Sequence, residues 1–433
     1  MRLTIEKLVY GGDGLARLPA DDRGNGKAVF LPFVLAGEEV EATVYEEKPG
    51  FARARAEKIV RPSAHRVAPP CPYFQRCGGC QYQHASYEHQ LEIKAAILHE
   101  NLRRIAKLEL QSELVIHPSP PWNYRNRVQL KLQCEPVFAL GYYKLNSREL
   151  LPVEQCPISS PLINRAITKL WEIGRAAGTA GTIDEIELFV DADDSQLLIE
   201  VFGPNENSES QQACEQLDQL LPEAVGVVFF ATPKGKRQSA PVEHALPAYS
   251  IGATSLEYKT KSATYRVSAG AFFQVNRYMV DGLVEIVTSG QSGRTALDLY
   301  AGVGLFSSVL NREFERVIAV ESSPTSYADL LYNAPANVKA IRATVERYLN
   351  ERSGKLQPDL VVMDPPRGGL GESVVRRLSD LASPRITYVS CDPATLARDL
   401  GHILSSGYRV QQAHLIDLFP QTYHIESVFH LVR

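Results

Sequence analysis

Four short apolar runs in the last third of the chain, at residues 296–300, 317–321, 360–363 and 386–390, alternate with segments of helical periodicity. Each run is short and mostly apolar, the last three carry Val, Ile or Thr, and all four read as buried strands. Strands that alternate with helices imply crossover connections, and hence a parallel, doubly wound α/β sheet. Sheets of this kind bind ligands at the carboxyl ends of their strands, so the residues directly after each run are where chemistry is expected.

The chain has 433 residues, more than one hydrophobic core normally organises, and two or three domains are expected. From Arg2 to Arg66, short apolar stretches are punctuated by turns such as Gly11-Gly12-Asp13-Gly14, the pattern of a small β-barrel. Pro62, Pro69, Pro70 and Pro72 mark a boundary. Beyond it, Leu91, Ala95, Leu98, Leu102 and Ile105 recur at helical spacing within residues 86–107. Residues 124–265 mix strand-like and helical stretches, an α+β middle domain. No run of apolar residues is long enough to cross a bilayer, and the N-terminus lacks the pattern of a signal peptide. The seven unevenly spaced cysteines do not form a disulfide framework, so a reducing, cytoplasmic location is expected and their clustering suggests metal. A formal net charge of −4 has the wrong sign for a chain that binds nucleic acid over its whole surface. Lys234, Lys236, Arg237, Lys259, Lys261 and Arg266 nevertheless form a local basic stretch.

The first run leads straight into Ala301-Gly302-Val303-Gly304, where glycines let backbone amides and a helix N-terminus approach a ligand. The second ends on Glu321, an acid placed to bond ribose hydroxyls, so an adenosine-containing cofactor is expected. The third ends in Asp364-Pro365-Pro366-Arg367 and the fourth in Cys391-Asp392-Pro393. Asp364 and Cys391 should share one cleft, with Glu426 of Tyr423-His424-Ile425-Glu426 close to it.

In their order along the whole chain, Phe272-Phe273-Gln274-Val275-Asn276, Asp298-Leu299-Tyr300, Glu321, Asp364-Pro365-Pro366-Arg367, Ser390-Cys391-Asp392-Pro393 and His424-Ile425-Glu426 resemble the RNA uridine-5-methyltransferases of the bacterial ribosomal type. The resemblance implies an α/β Rossmann-like S-adenosyl-L-methionine methyltransferase domain over residues 266–433. It further implies an OB-like TRAM barrel over 1–66 and an α+β iron–sulfur middle domain over 67–265, with the 86–107 helix packed on the catalytic domain. Cys391 would be the nucleophile and Glu426 the base. Gln274, Tyr300, Gly302, Gly304, Glu321 and Asp364 would hold S-adenosyl-L-methionine. Cys71, Cys77, Cys80 and Cys156 fit zinc or an iron–sulfur cluster by spacing, and the resemblance selects [4Fe-4S]. Cys134 and Cys214 are taken as packing. The expected partner is RNA, 23S ribosomal RNA with a flipped-out uridine, and no obligate protein partner is expected. Methylation of the transfer RNA T-loop uridine is the nearest rival, and a non-catalytic RNA-binding iron–sulfur protein is a rival of another class.

The chain departs from the family pattern at three places, one of them the segment Asn333–Asn337, which is shorter than usual and carries Pro335. Leu305 stands where a side-chain amide usually follows the glycine loop, and Arg342-Ala343-Thr344-Val345-Glu346 lacks the acid usually found near adenine. Thr344 or Glu346 would have to substitute for it, or cofactor binding would be weaker.

Overall fold

The computed structural model describes residues 1–18, 26–133, 137–177, 183–231, 247–352 and 356–433. Lys234, Lys236, Arg237 and Cys134 lie outside the described residues. Within the rest of the basic stretch, Arg266 is already engaged: its Nε donates to Asp329 at 2.7 Å and its guanidinium lies 4.1 Å from the Tyr332 ring centre.

The C-terminal sheet has eight strands. Its order is Val338–Arg342, Phe314–Glu321, Gly293–Leu299, Leu360–Met363, Arg385–Ser390, Glu426–Val432, Arg409–Ile416 and Leu114–His117. The first five are parallel, as their alternation with helices requires, and Glu426–Val432 enters antiparallel between Arg385–Ser390 and Arg409–Ile416. The eighth strand comes from far upstream in sequence and pairs parallel to Arg409–Ile416.

The upstream helix Tyr87–Asn101 continues as a π-helical turn, Leu102–Ala106, and ends at Lys107 in the left-handed region (φ 55°). Its buried face is Gln90, Ile93, Lys94, Ile97, Leu98 and Leu102, packed in one core with Leu396, Leu400 and Ile403 of the C-terminal domain. Of the apolar positions at helical spacing, Leu98 and Leu102 are fully buried, whereas Leu91 and Ala95 are only half-buried and Ile105 is 44% exposed. The buried face departs from that spacing because two polar side chains occupy the interior with partners. Lys94 Nζ donates to Asp417 Oδ1 at 2.6 Å and to the Phe419 carbonyl at 2.9 Å. Gln90 Nε2 donates to Tyr82, Ala85 and Gln421 oxygens.

The N-terminal sheet is six-stranded and curled. Its edge strands, Arg2–Thr4 and Lys7–Leu8, belong to nearly one run of chain. Between them, Ile5 N–H donates to the Glu38 carbonyl and Glu6 N–H to the Leu15 carbonyl, so the sheet bends back on itself around Leu3, Ile5, Val29, Leu31 and Val40. The buried Glu38 carboxylate is held below the ordinary range because Arg66 and the N–H groups of Leu35 and Ser63 outweigh its burial.

The middle sheet has seven strands and packs on the helices Pro161–Ala177 and Ser208–Leu220, with Cys214 buried among them. A two-stranded hairpin, Ser255–Lys259 with Thr264–Ser268, is too small to be stable alone. It buries Leu256, Tyr258, Tyr265 and Val267 in a core shared with Val303, Leu305 and Leu330 of the C-terminal domain. The sequence-derived boundary at residue 265 therefore cuts through a strand, and Leu114–His117 joins the C-terminal sheet rather than the middle one, while the helix before it packs on the C-terminal domain as expected. Distant sequence supplies both pieces, which periodicity within a segment cannot reveal.

Burial pulls Lys94 below its ordinary pKa and Asp417 opposes this, so the ion pair carries the full desolvation cost. Lys94→Met should destabilise the protein by about 3–5 kcal/mol, because it strands the Asp417 carboxylate in a dry site. The double variant Lys94→Met/Asp417→Leu should recover most of that loss in urea unfolding. Equal losses in the two variants would show that the helix does not depend on charge compensation.

Candidate active site

At the carboxyl ends of the parallel strands lies a cavity of about 550 Å³. Residues 272–275, Phe419, His424 and Glu426 are among those that wall it. Tyr300, Gly302, Glu321, Asp364, Cys391, Glu426 and Gln274, all singled out in the sequence, line it together. Gly304 does not. It turns the loop (φ 94°) beside Leu330, where a Cβ would come within 2.9 Å of Cδ1. Tyr300 leaves its strand in the left-handed region (φ 63°), and Gly302 follows at φ 55° with open space where a side chain would be. The loop thus presents backbone to the cavity.

Glu321 organises that loop. Its Oε2 accepts from Gly302 N–H at 2.9 Å, and its Oε1 accepts from Ser322 and Ser323 N–H, each at 2.6 Å. Gln274 Nε2 reaches Asp364 Oδ2 at 3.4 Å across the cavity. Asp392 caps the helix Pro393–Ser405 by accepting from Ala394 and Thr395 N–H, which fixes the turn that carries Cys391. Glu426 begins the antiparallel strand at the same edge, where Ser427 pairs with Ser390.

The electrostatics favour uncharged acids. Burial, reinforced by Asp298, raises Asp364 to about 7. Burial and Asp364 push Glu426 well above the carboxylate range, with Arg367 opposing. Burial, Glu426 and Asp364 raise the Cys391 thiol to about 12, and Arg367 again opposes. These surroundings favour the Cys391 thiol, and a cation beside it would shift the balance toward the thiolate. Burial and Arg367 lower His424 to about 4, so its imidazole is neutral; Arg367 Nη2 lies 3.4 Å from its Nε2.

Residues 86–433 match the family described as tRNA (Uracil-5-)-methyltransferase, and residues 1–56 match the TRAM domain. The chain belongs to the tRNA (uracil-5-)-methyltransferase family. It is an S-adenosylmethionine-dependent RNA (uracil-5-)-methyltransferase. The methyltransferase is 36% identical over 435 residues to an uncharacterized RNA methyltransferase of Aquifex aeolicus, covering 99% of this chain and 97% of that one. It is 31% identical to another from Caldanaerobacter subterraneus, covering 98% and 96%. The solved tRNA (uracil-54, C5)-methyltransferase of Pyrococcus abyssi, in complex with S-adenosyl-L-homocysteine, superimposes with a TM-score of 0.76 at 25% identity, covering 100% of both chains.

Arg125, Phe272, Ser322, Ser323, Ser326, Arg367, Phe419 and His424 also line the methyltransferase cavity. Arg367 and Phe272 adjoin recognisable motifs, whereas Arg125 has no signal around it. Thr344 and Glu346 are not in the wall. Thr344 Oγ1 instead accepts from Arg347 N–H, and Glu346 is exposed, close enough to Tyr300 of the wall to raise its pKa. Cys71, Cys77, Cys80 and Cys156 line a second cavity of about 270 Å³ with Phe74, Tyr142 and Gln83. Among the described residues, no group of three or more His, Cys, Asp or Glu side chains is arranged to hold a metal ion. No helix among them is long and apolar enough to cross a membrane.

Glu426 raises the Cys391 pKa, so Glu426→Gln should lower it. Alkylation of the Cys391 peptide by iodoacetamide should be slow near pH 7, accelerate toward about pH 10, and shift to lower pH in Glu426→Gln. Identical pH profiles for the two proteins, followed by peptide mass spectrometry, would contradict this electrostatic coupling.

Proposed function

We propose that Cys391 adds to carbon 6 of a flipped-out uridine and that Glu426 removes the carbon-5 proton. The observation that carries this reading is the shared cavity of Cys391, Asp364 and Glu426 at the ligand edge of the sheet. Carbon 5 of uracil is a weak nucleophile. Thiolate addition at carbon 6 makes it an enolate-type carbanion, which takes the methyl group from the sulfonium and leaves S-adenosylhomocysteine. Loss of the carbon-5 proton to Glu426 then returns the electron pair through carbon 5–carbon 6 and expels the Cys391 thiolate. Arg367 and the positive charge of the bound sulfonium both favour the thiolate and the ionised form of Glu426, and the raised pKa that burial gives Glu426 makes that carboxylate a stronger base for the carbon-5 proton. Gln274, Tyr300, Gly302, Glu321 and Asp364 hold S-adenosyl-L-methionine, with Gly304 shaping the loop. The base leaves its stack to reach the cavity.

For the RNA, we favour a transfer RNA T-loop uridine over 23S ribosomal RNA. At the level of sequence the N-terminal barrel pointed to ribosomal RNA. The Pyrococcus transfer RNA enzyme aligns with the whole chain, that region included, so the barrel no longer separates the two. Tritium from methyl-labelled S-adenosyl-L-methionine should enter a T-arm hairpin as 5-methyluridine. Labelling of a 23S fragment alone would overturn the target and spare the reaction. Cys391→Ala should abolish labelling. Glu426→Gln should form methylated adduct that cannot collapse, leaving protein and RNA linked in a denaturing gel. Wild-type turnover by Cys391→Ala would remove the nucleophile from this account.

We further propose that Cys71, Cys77, Cys80 and Cys156 hold a [4Fe-4S] cluster, which when bound ties the segment following the N-terminal sheet to the middle domain. The four thiols around one cavity support it. Burial dominates the rise of Cys77 to about 11, with Cys156 and Cys71 adding to it, so metal binding at Cys77 would have to displace its proton. Anaerobically purified protein should contain about four irons and absorb in the thiolate-to-iron region. Stoichiometric zinc without iron would reject the cluster.

A further inference from the structure

Residues 270–276 form a strap that carries Phe272 and Gln274 into the cavity wall, and their backbone is held almost wholly by the middle domain. Gly270 N–H donates to Glu200 Oε2 at 3.0 Å. Arg127 Nη1 donates to the Ala271 carbonyl. Asn126 Nδ2 donates to the Gln274 carbonyl at 3.1 Å, and its N–H to the Val275 carbonyl at 3.0 Å. Gly270 itself sits at φ 79°, a turn that suits glycine.

The gripping residues are themselves locked. Arg127 and Asn126 stand at the head of the strand Arg127–Gln133, and Glu187 and Glu200 face each other across the next two strands. The Arg127 guanidinium lies 4.2 Å from the Phe189 ring centre, 3.1 Å from Glu187 Oε1 and 3.4 Å from Glu200 Oε1. The Glu200 side chain is 1% exposed. A buried carboxyl beside another acid would be an odd choice for packing alone, and here its second oxygen is spent on one backbone amide of the strap.

We infer that Glu200 and Arg127 are positioning residues for methyl transfer: across the domain junction they set the strap that aims Phe272 and Gln274 into the cavity. Neither side chain lines the cavity, so both act through the backbone at Gly270 and Ala271. Burial and Glu187 hold Glu200 toward its protonated form, raising it to about 8 against Arg127 and the Gly270 N–H. Glutamine is therefore the near-equivalent replacement, keeping an acceptor for Gly270 without requiring a charge. The inference rests on reading this cavity as the methylation site.

The test measures steady-state methylation of a T-arm RNA by wild type, Glu200→Ala, Glu200→Gln and Cys391→Ala. Misplacement of the wall by an ångström should lower kcat on the order of 10²-fold in Glu200→Ala, with KM for RNA little changed. Glu200→Gln should restore kcat to within about threefold, a rescue that general loss of packing would not give. Wild-type kcat in folded Glu200→Ala, or equal losses in Ala and Gln variants, would overturn the positioning role. An active Cys391→Ala would instead strike the reading of the cavity. Hydrogen exchange of the unmodified protein covers the case in which Glu200→Ala does not fold. The Gly270 amide should exchange as slowly as the middle sheet, and fast exchange there would overturn the inference without any variant.

Discussion

The register of the last strand is the constraint on which the site depends. Glu426–Val432 runs antiparallel between two neighbours, pairing Ser427 with Ser390 on one side and Glu426 with Ile416 on the other. That pairing puts Glu426 at the sheet edge beside the turn that carries Cys391. A slip of one residue would send every side chain of the strand to the opposite face, removing Glu426 from the cavity and Val428 and Phe429 from their cores. Two hydrophobic cores therefore enforce the placement of one carboxylate.

The site so formed is acidic, with its carboxyl groups buried. Asp298, Asp364 and Glu426 are buried near one another, and burial dominates the rise of each. Such a cavity is costly when its acids are charged and improves when a cation enters. A sulfonium co-substrate suits that field, and its charge would favour the Cys391 thiolate that the empty cavity disfavours. Around this centre, distant parts of the chain converge. Tyr10 of the N-terminal sheet packs edge-on against Tyr423, and Gln81 and Tyr82 N–H both donate to the Gln421 carbonyl. Lys94 reaches Asp417 and Phe419 on the same connection. The N-terminal sheet, the cysteine-bearing segment and the upstream helix thus all brace the loop that delivers Glu426.

Much of the site was legible in the sequence because doubly wound sheets put their chemistry directly after each strand. Glu321, Asp364 and Cys391 could be located by that rule, and the glycines by the turn they permit. Long-range contacts were not legible. The buried face of the Tyr87–Asn101 helix was located only in part, at Leu98 and at Leu102 just beyond it, because Gln90 and Lys94 read as surface residues until their partners, hundreds of positions away, are known. Leu114–His117 joined the C-terminal sheet for the same reason, and the grip of Arg127 and Glu200 on the strap leaves no local signature. The state of the Cys391 thiol has no local signature either, since it depends on burial and on two acids from other strands.

The covalent bond to Cys391 is the central claim, and 5-fluorouridine tests it most directly. Fluorine at carbon 5 cannot leave as a cation, so a T-arm RNA with that nucleotide should, in the presence of S-adenosyl-L-methionine, remain attached to the unmodified protein. Digestion and mass spectrometry should then find the methylated nucleotide on the peptide containing Cys391 and on no other cysteine. Efficient methylation of ordinary uridine with no adduct on 5-fluorouridine, or an adduct at a different residue, would contradict the account.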